Sequence, residues 1–202
     1  LFVKNDILIY DYEIENTFYG NNEFRHFDIK NLRYQSERIK KIRIDSLYNQ
    51  VYLLDDQKYS YDLYSIKNDI NGKFIIQSKE KEISDIESDY TFVHFNLPMD
   101  KINFGDIYII GGLSNWDLKD NFRLEYNKGT RKYEAKIYLK QGYYNYNYVI
   151  KDKKNNNIDA SFIEGSHYQT RNDYYIYVYY RSASQRYDRF VGFLRTESRE
   201  LF

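Results

Sequence analysis

Glu23, Arg25, His26 and Asp28 fall within one short stretch near the start of the chain. Carboxylates flanking an imidazole are the groups of acid–base chemistry and of oxygen- and nitrogen-ligated metal sites. On an extended strand Glu23, Arg25 and Phe27 share one face, and Phe24, His26 and Asp28 the other. The two carboxylates then point apart, which spoils a paired-carboxylate mechanism. A structural salt-bridge cluster is expected instead. Glu164-Gly165-Ser166-His167 is the second candidate. A serine one residue before a histidine is not a catalytic triad, and the nucleophile-elbow pattern is absent. Asp85, Glu87 and Asp89 alternate carboxylates but lack the glycine and terminal glutamate of a calcium loop. His94 lies between Val93 and Phe95 and is read as packing or surface. No phosphate-binding glycine loop occurs, and no histidine pair has metal-ligand spacing. No catalytic, metal or cofactor-binding residue is therefore assigned.

The elements that would position these groups read as strands. Tyr133, Ala135, Ile137 and Leu139 alternate with charged residues and Tyr138, the period of a half-buried strand. Gln141-Gly142 follows as a turn. Tyr144, Tyr146, Tyr148 and Ile150 then share one face, with Asn145 and Asn147 on the other. A β-hairpin over residues 133–150 is expected, with the second half of the chain packing on it. Further strands are expected at Asp6–Ile14, Ile39–Ile44, Val51–Leu54, Lys73–Gln77, Tyr90–Leu97, Ile107–Ile110, Phe122–Tyr126, Asp173–Arg181 and Phe190–Leu194, the last closing the sheet. Turn signals stand between them at Gly20-Asn21-Asn22, Asn71-Gly72 and Asn127-Lys128-Gly129. Short strands at this spacing predict β-sandwiches. The polar, charged stretch 79–89 has no strong period and is expected to be a domain boundary. The fold expectation is all-β: two tandem β-sandwich domains, 1–86 and 87–202, the second immunoglobulin-like of the early-set type.

Composition narrows the function classes. The chain has 202 residues, with 30 basic and 30 acidic side chains. That balance argues against nucleic acid and against an anionic membrane surface as partners. There is no cysteine, which excludes disulfides and thiol catalysis. No apolar run approaches the roughly 20 residues of a membrane helix, and direct membrane insertion is not expected. The chain does not begin with Met and is read as a fragment or processed product. Its 25 tyrosines and 13 phenylalanines stand beside one tryptophan. Alternating tyrosines can cover apolar surface, stack on sugars or anchor a protein partner. Trp116 and the tyrosines of Tyr174–Tyr180 are the places where an interface is expected.

Two resemblances follow from motifs. Ile107-Tyr108-Ile109-Ile110-Gly111-Gly112-Leu113-Ser114-Asn115-Trp116-Asp117 resembles the Gly-x-Phe-Asn-x-Trp signature of glycogen-binding modules and related early-set immunoglobulin-like domains, with Leu113-Ser114 where those often carry Phe-Asn. A longer series resembles the plug protein of the Bacteroidota type IX secretion system, over its C-terminal half. Its segments are Asn22-Glu23-Phe24-Arg25-His26-Phe27-Asp28, Asp69-Ile70-Asn71-Gly72, Leu139–Tyr146, Glu164-Gly165-Ser166-His167, Thr170–Tyr174, Val178-Tyr179-Tyr180-Arg181 and Arg186-Tyr187-Asp188-Arg189, in that order. This resemblance implies a periplasmic protein on the inner face of the outer membrane. It implies a steric, non-enzymatic role, in which the protein closes the periplasmic mouth of a very large β-barrel translocon, its partner. Interface or fold-determining residues are expected among Glu23, Arg25, Asp28, Trp116, Tyr144, Tyr146, Glu164, His167, Arg181, Asp188 and Arg189. Arg25, Asp28 and Arg189 are the candidates for buried ion pairs. A carbohydrate-binding module, built on the Trp116 loop and the tyrosines, is the alternative, with a glycan as partner. A hydrolase using Glu164 and His167 is the third.

Overall fold

The computed structural model describes residues 2–4, 7–9, 17–45, 47–60 and 62–198. Its residues fall into two compact units, 1–20 with 167–202, and 21–166. The chain opens in the first unit with β1 (Phe2–Lys4) and β2 (Ile7–Ile9), an antiparallel pair. The rest of the strand expected at Asp6–Ile14 lies outside the described residues.

The second unit is a β-sandwich. In chain order it holds β3 (Arg25–Asp28), β4 (Ile39–Arg43), β5 (Asn49–Leu53), β6 (Phe74–Ile76), the one-turn helix α1 (Ser84–Glu87) and β7 (Tyr90–Pro98). Then come β8 (Gly105–Ile110), β9 (Glu125–Asn127), β10 (Lys132–Lys140), β11 (Gly142–Asp152), β12 (Ile158–Asp159) and the single turn α2 (Ser161–Glu164). One sheet has the order β4-β5-β7-β10-β9, with β5 and β7 parallel and the other pairs antiparallel. The other is assembled on β11. Strands β3 and β6 both pair with Tyr143 and Tyr144, so they take opposite edges of β11. Strands β8 and β12 both pair with Ile150 and Lys151 and do likewise.

The stretch 133–150 is therefore not a hairpin. β10 pairs with β7 and β9 in one sheet, and β11 belongs to the other. Gln141-Gly142 is the corner between sheets. Gln141 is fully buried; its amide N–H donates to the Asp89 carbonyl (2.8 Å) and its carbonyl accepts from the Gln77 N–H (3.2 Å). A Cβ on Gly142 would sit 2.3 Å from the Ile75 carbonyl oxygen, so only glycine lets β6 approach this corner. The expected facing is observed. Tyr144, Tyr146, Tyr148 and Ile150 are all buried and join Phe27, Phe95 and Leu97 in one core. Phe95 of the first sheet meets both Phe27 (5.5 Å) and Tyr146 (5.3 Å) of the second, edge to face.

Strand pairing also runs across the boundary expected at 86/87. β5 pairs with β7, and β3 and β6 pair with β11, so residues from both expected domains share both sheets. The polar stretch 79–89 is a surface connection tied at both ends: the Lys79 N–H donates to the Lys30 carbonyl (2.9 Å), and the Asp89 N–H to the Gln141 side chain (3.0 Å). Polarity signalled exposure there, not a linker.

Strands β13 (Asp173–Tyr180) and β14 (Arg189–Glu197) belong to the first unit and pair only with each other among the described residues. The stretch Phe190–Leu194 thus closes a two-stranded ribbon, not the sandwich sheet.

Candidate functional site

The buried chemistry of the sandwich converges on Arg25. The burial of β3 alternates, placing Arg25 and Phe27 inward. Arg25, Asp56 and Glu164 are 4%, 1% and 0% exposed. The Arg25 Nε–H donates to both Glu164 oxygens (3.0 and 2.9 Å). Its Nη1 reaches Asp56 Oδ1 (3.3 Å), and its Nη2 donates to the Gln57 carbonyl (2.6 Å). The guanidinium lies 3.8 Å from the centre of the Tyr59 ring. Asp56 Oδ1 also accepts from Arg38 (2.8 Å), and its Oδ2 accepts from the hydroxyls of Tyr146 and Tyr148, each at 2.7 Å. Glu164 Oε1 accepts the Tyr148 backbone N–H (2.7 Å).

Two arginines face two carboxylates here, and each carboxylate has several donors. That arrangement makes burial of the charges tolerable. Burial works against the Arg25 cation, but Glu164 and Asp56 outweigh it and raise its pKa above the arginine range. Burial pushes the Glu164 carboxyl up, against the pull of Arg25. Burial, reinforced by Asp56, drives the Tyr146 and Tyr148 hydroxyls well above the ordinary tyrosine value. Arg25, Asp56, Glu164 and the Tyr146 and Tyr148 hydroxyls are engaged with one another and buried, with Arg38 half-buried at the edge. The cluster is a lock joining β3, β11, α2 and the segment after β5.

Other resemblance segments converge on the same place. Asn22 donates to the Glu164 carbonyl (2.9 Å). Asp69 accepts from the Phe24 N–H (2.8 Å), and the Ile70 N–H donates to Asn145 Oδ1 (2.6 Å). Gly72 has φ +72°, and a Cβ there would lie 2.4 Å from the Trp116 ring. Trp116 is 49% exposed, sits edge-on to Phe24 (5.9 Å), and follows Asn115 with φ +59° at both residues.

The remaining expected residues divide. Glu23 is half-buried and accepts a hydrogen bond from the Tyr64 hydroxyl. Asp28 is half-buried and pairs with Lys30 (3.2 Å), so its ion pair is not a buried one. Arg189 is exposed, contrary to expectation. Tyr144 and Tyr146 are core residues, not interface. Glu164 is spent on Arg25, and His167 belongs to the other unit. Arg181 and Asp188 form an exposed bidentate pair (2.8 Å for both bonds) near the tip of the β13–β14 ribbon. His94 is stacked on Tyr52 (4.2 Å) and bonded to Gln50 (2.7 Å); burial, aided by Lys136, lowers its pKa. Among the described residues no group of three or more His, Asp or Glu could hold a metal ion. Asp56, Arg38, Tyr59 and Tyr148 are the site residues that sequence reading missed. Asp56 appears in sequence only as the polar end of an apolar run, and nothing local points from it to residues 90 positions away.

The ribbon is the longer of two exposed aromatic surfaces among the described residues, the other being Tyr48, Tyr90 and Tyr138 on the sandwich. Tyr175, Ile176, Tyr177, Val178, Tyr179 and Tyr180 of β13, with Phe190, Val191, Phe193 and Leu194 of β14, are 41–60% exposed. A polar cleft of about 590 Å³ lies elsewhere, on the sandwich, lined by His94, Asn96, Asp120, Arg123, Tyr126 and Glu134 among others.

No family model matches the sequence, and no curated protein matches it. A crystal structure of a hypothetical protein from Parabacteroides merdae ATCC 43184 is similar, with 34% identity and a TM-score of 0.83. The similarity covers 88% of this chain and 45% of that one, so the chain spans less than half of that protein's length.

Proposed function

We propose that this chain is part of a non-enzymatic plug or gating subunit that seals the periplasmic opening of the type IX outer-membrane translocon. It would act on the inner face of the outer membrane, with the β-barrel translocon as partner. The observation that carries the reading is the division of the resemblance segments in space. One set is used inside the sandwich, Arg25 and Glu164 in the buried lock and Asp69, Ile70 and Asn145 in hydrogen bonds beside it. The other set, Val178–Arg181 and Arg186–Arg189, lies on an exposed aromatic ribbon. A steric subunit needs a rigid body and a contact surface, and no reactive group held open to a substrate. The similar Parabacteroides protein supports the Bacteroidota setting. No helix among the described residues is long and apolar enough to cross a membrane.

The test is capture from detergent-solubilised outer membranes of the source organism, with the chain as bait and mass spectrometry of what is retained. The giant barrel is the expected catch. Its absence, repeated with the full-length protein, would remove the reading. The carbohydrate alternative is favoured by one observation, the polar cleft beside His94 and Tyr126. Calorimetry against a panel of α- and β-glucans decides it: heat that disappears in Arg123→Ala supports a glycan, and no heat from folded protein ends it.

A further inference from the structure

The ribbon presents apolar side chains on both of its faces. Side chains alternate along a strand. Tyr175, Tyr177 and Tyr179 lie on one face with Phe190 and Phe193, in ring contacts of 5.3 to 6.3 Å. Ile176, opposite Leu194, lies on the other face with Val178 and Tyr180. A bulge between Val178 and Tyr179 twists the pair in its middle. A ribbon that docks flat on a partner needs one apolar face and keeps the other polar. This one has the pattern of strands covered on both sides. Its polar content is at the ends. Arg195 binds Asp173 (3.0 Å) at the base. Around the tip, residues 181–189 carry Arg181, Arg186 and Arg189 against Asp188 alone, a surplus of two positive charges. Asp188 is taken by Arg181, and Arg186 and Arg189 make no ion pair among the described residues.

We propose that β13–β14 is an insertion finger, received by a cavity of a protein partner that closes around both faces. The proposal rests on the plug reading and names its contact surface. The cavity has mixed apolar and polar walls, because four of the six ribbon side chains from Tyr175 to Tyr180 are tyrosines, which bury a ring and still offer a hydroxyl. Its floor is acidic, complementary to Arg186 and Arg189. At about 3.3 Å per residue the paired strands reach roughly 26 Å, deep enough to enter a pore mouth. The interior of an outer-membrane barrel is polar and enclosing, and fits both requirements.

The experiment is site-specific photo-crosslinking of the full chain to the detergent-purified translocon. A photoreactive phenylalanine replaces Tyr177 on one face, Ile176 on the other, or Tyr138 on the sandwich as the control. Crosslinks from both ribbon faces and none from Tyr138 support the finger. Arg186→Glu with Arg189→Glu is then expected to weaken binding on the order of tenfold or more. Crosslinks from a single face, from Tyr138 only, or between two copies of this chain overturn the finger while the plug reading stands. Full affinity in a variant carrying Tyr177→Ser, Ile176→Ser, Phe193→Ser and Leu194→Ser does the same. Failure of the unmodified protein to bind the translocon overturns both.

Discussion

Arg25→Met tests whether the buried charges are a lock. Among the described residues Arg25 gives Glu164 its only cation and Asp56 one of its two. Without it, Asp56 keeps Arg38 and two tyrosine hydroxyls, and Glu164 keeps the Tyr148 backbone N–H. Two buried carboxylates then face one arginine. Leaving one charge of a buried pair unpaired costs about 3–5 kcal/mol. That is a large share of the roughly 5–15 kcal/mol that holds a domain folded. With a urea slope of about 2 kcal/mol per molar, the midpoint falls by about 2 M. Arg25→Met with Glu164→Gln restores the balance of Arg38 against Asp56. The double variant is expected to be no less stable than Arg25→Met alone, a coupling of about 1–3 kcal/mol. The assay is urea unfolding followed by tyrosine near-ultraviolet circular dichroism, with Arg131→Met as control. Arg131 pairs with Asp100 in full exposure, and its loss is expected to cost under about 0.5 kcal/mol. Acid should relieve Arg25→Met. The Glu164 carboxyl is already raised by burial, so the native state takes up the proton more readily than the unfolded chain, and the deficit shrinks as pH falls toward the ordinary carboxylate range. A cost under about 1 kcal/mol for Arg25→Met, or single effects that simply add, would refute the lock.

Alkali should unfold the sandwich steeply. Tyr144, Tyr146 and Tyr148 are all raised by burial, so their stabilisation is complete below the unfolded value of about 10 and is lost as pH rises beyond it. Three such groups lower stability by about 4 kcal/mol per pH unit in that range, read by urea midpoints; a profile that stays flat above the unfolded tyrosine value of about 10 contradicts the burial. Gly72→Ala should cost about 1–3 kcal/mol, because φ +72° and the Trp116 ring at 2.4 Å both oppose a Cβ. Fluorescence of the single tryptophan should shift with it, and an unchanged spectrum counts against the packing. Tyr146→Phe should cost about 1.5–3 kcal/mol through the hydrogen bond to Asp56, while Tyr177→Phe leaves thermal stability unchanged.

What could be read from sequence was local. Alternation put Tyr144, Tyr146, Tyr148 and Ile150 on the core face, and the structure buries all four. The same alternation could not say which strand lies beside which. Gln141-Gly142 has the composition of a tight hairpin turn, and serves as a corner because β7 and β3 compete for the edges that β10 and β11 would have shared. The lock was legible in type and not in membership. Arg25 is 31 residues from Asp56 and 139 from Glu164, and no periodicity spans such distances. The break expected at 86/87 failed for a related reason: charge density reports solvent exposure, and a connection between strands of one sandwich is as exposed as a linker.

The tyrosines carry the functional argument because similar alternating patterns meet opposite fates. β11 reads Tyr-Tyr-Asn-Tyr-Asn-Tyr and β13 reads Tyr-Tyr-Ile-Tyr-Val-Tyr-Tyr. The first is flanked by four strands and faced by a second sheet, so Tyr144, Tyr146 and Tyr148 are core and their hydroxyls are absorbed by Asp56 and the Lys140 carbonyl. The second has one partner strand among the described residues, and its apolar surface stays in water. A lone two-stranded ribbon is marginal in water, and apolar side chains on both faces raise that cost unless something covers them. The charged groups run the other way, with Arg25, Asp56 and Glu164 turned inward and neutralised. The buried charges are locked together, the apolar anchors are left exposed on the ribbon, and the ribbon is where the proposed partner is to be sought.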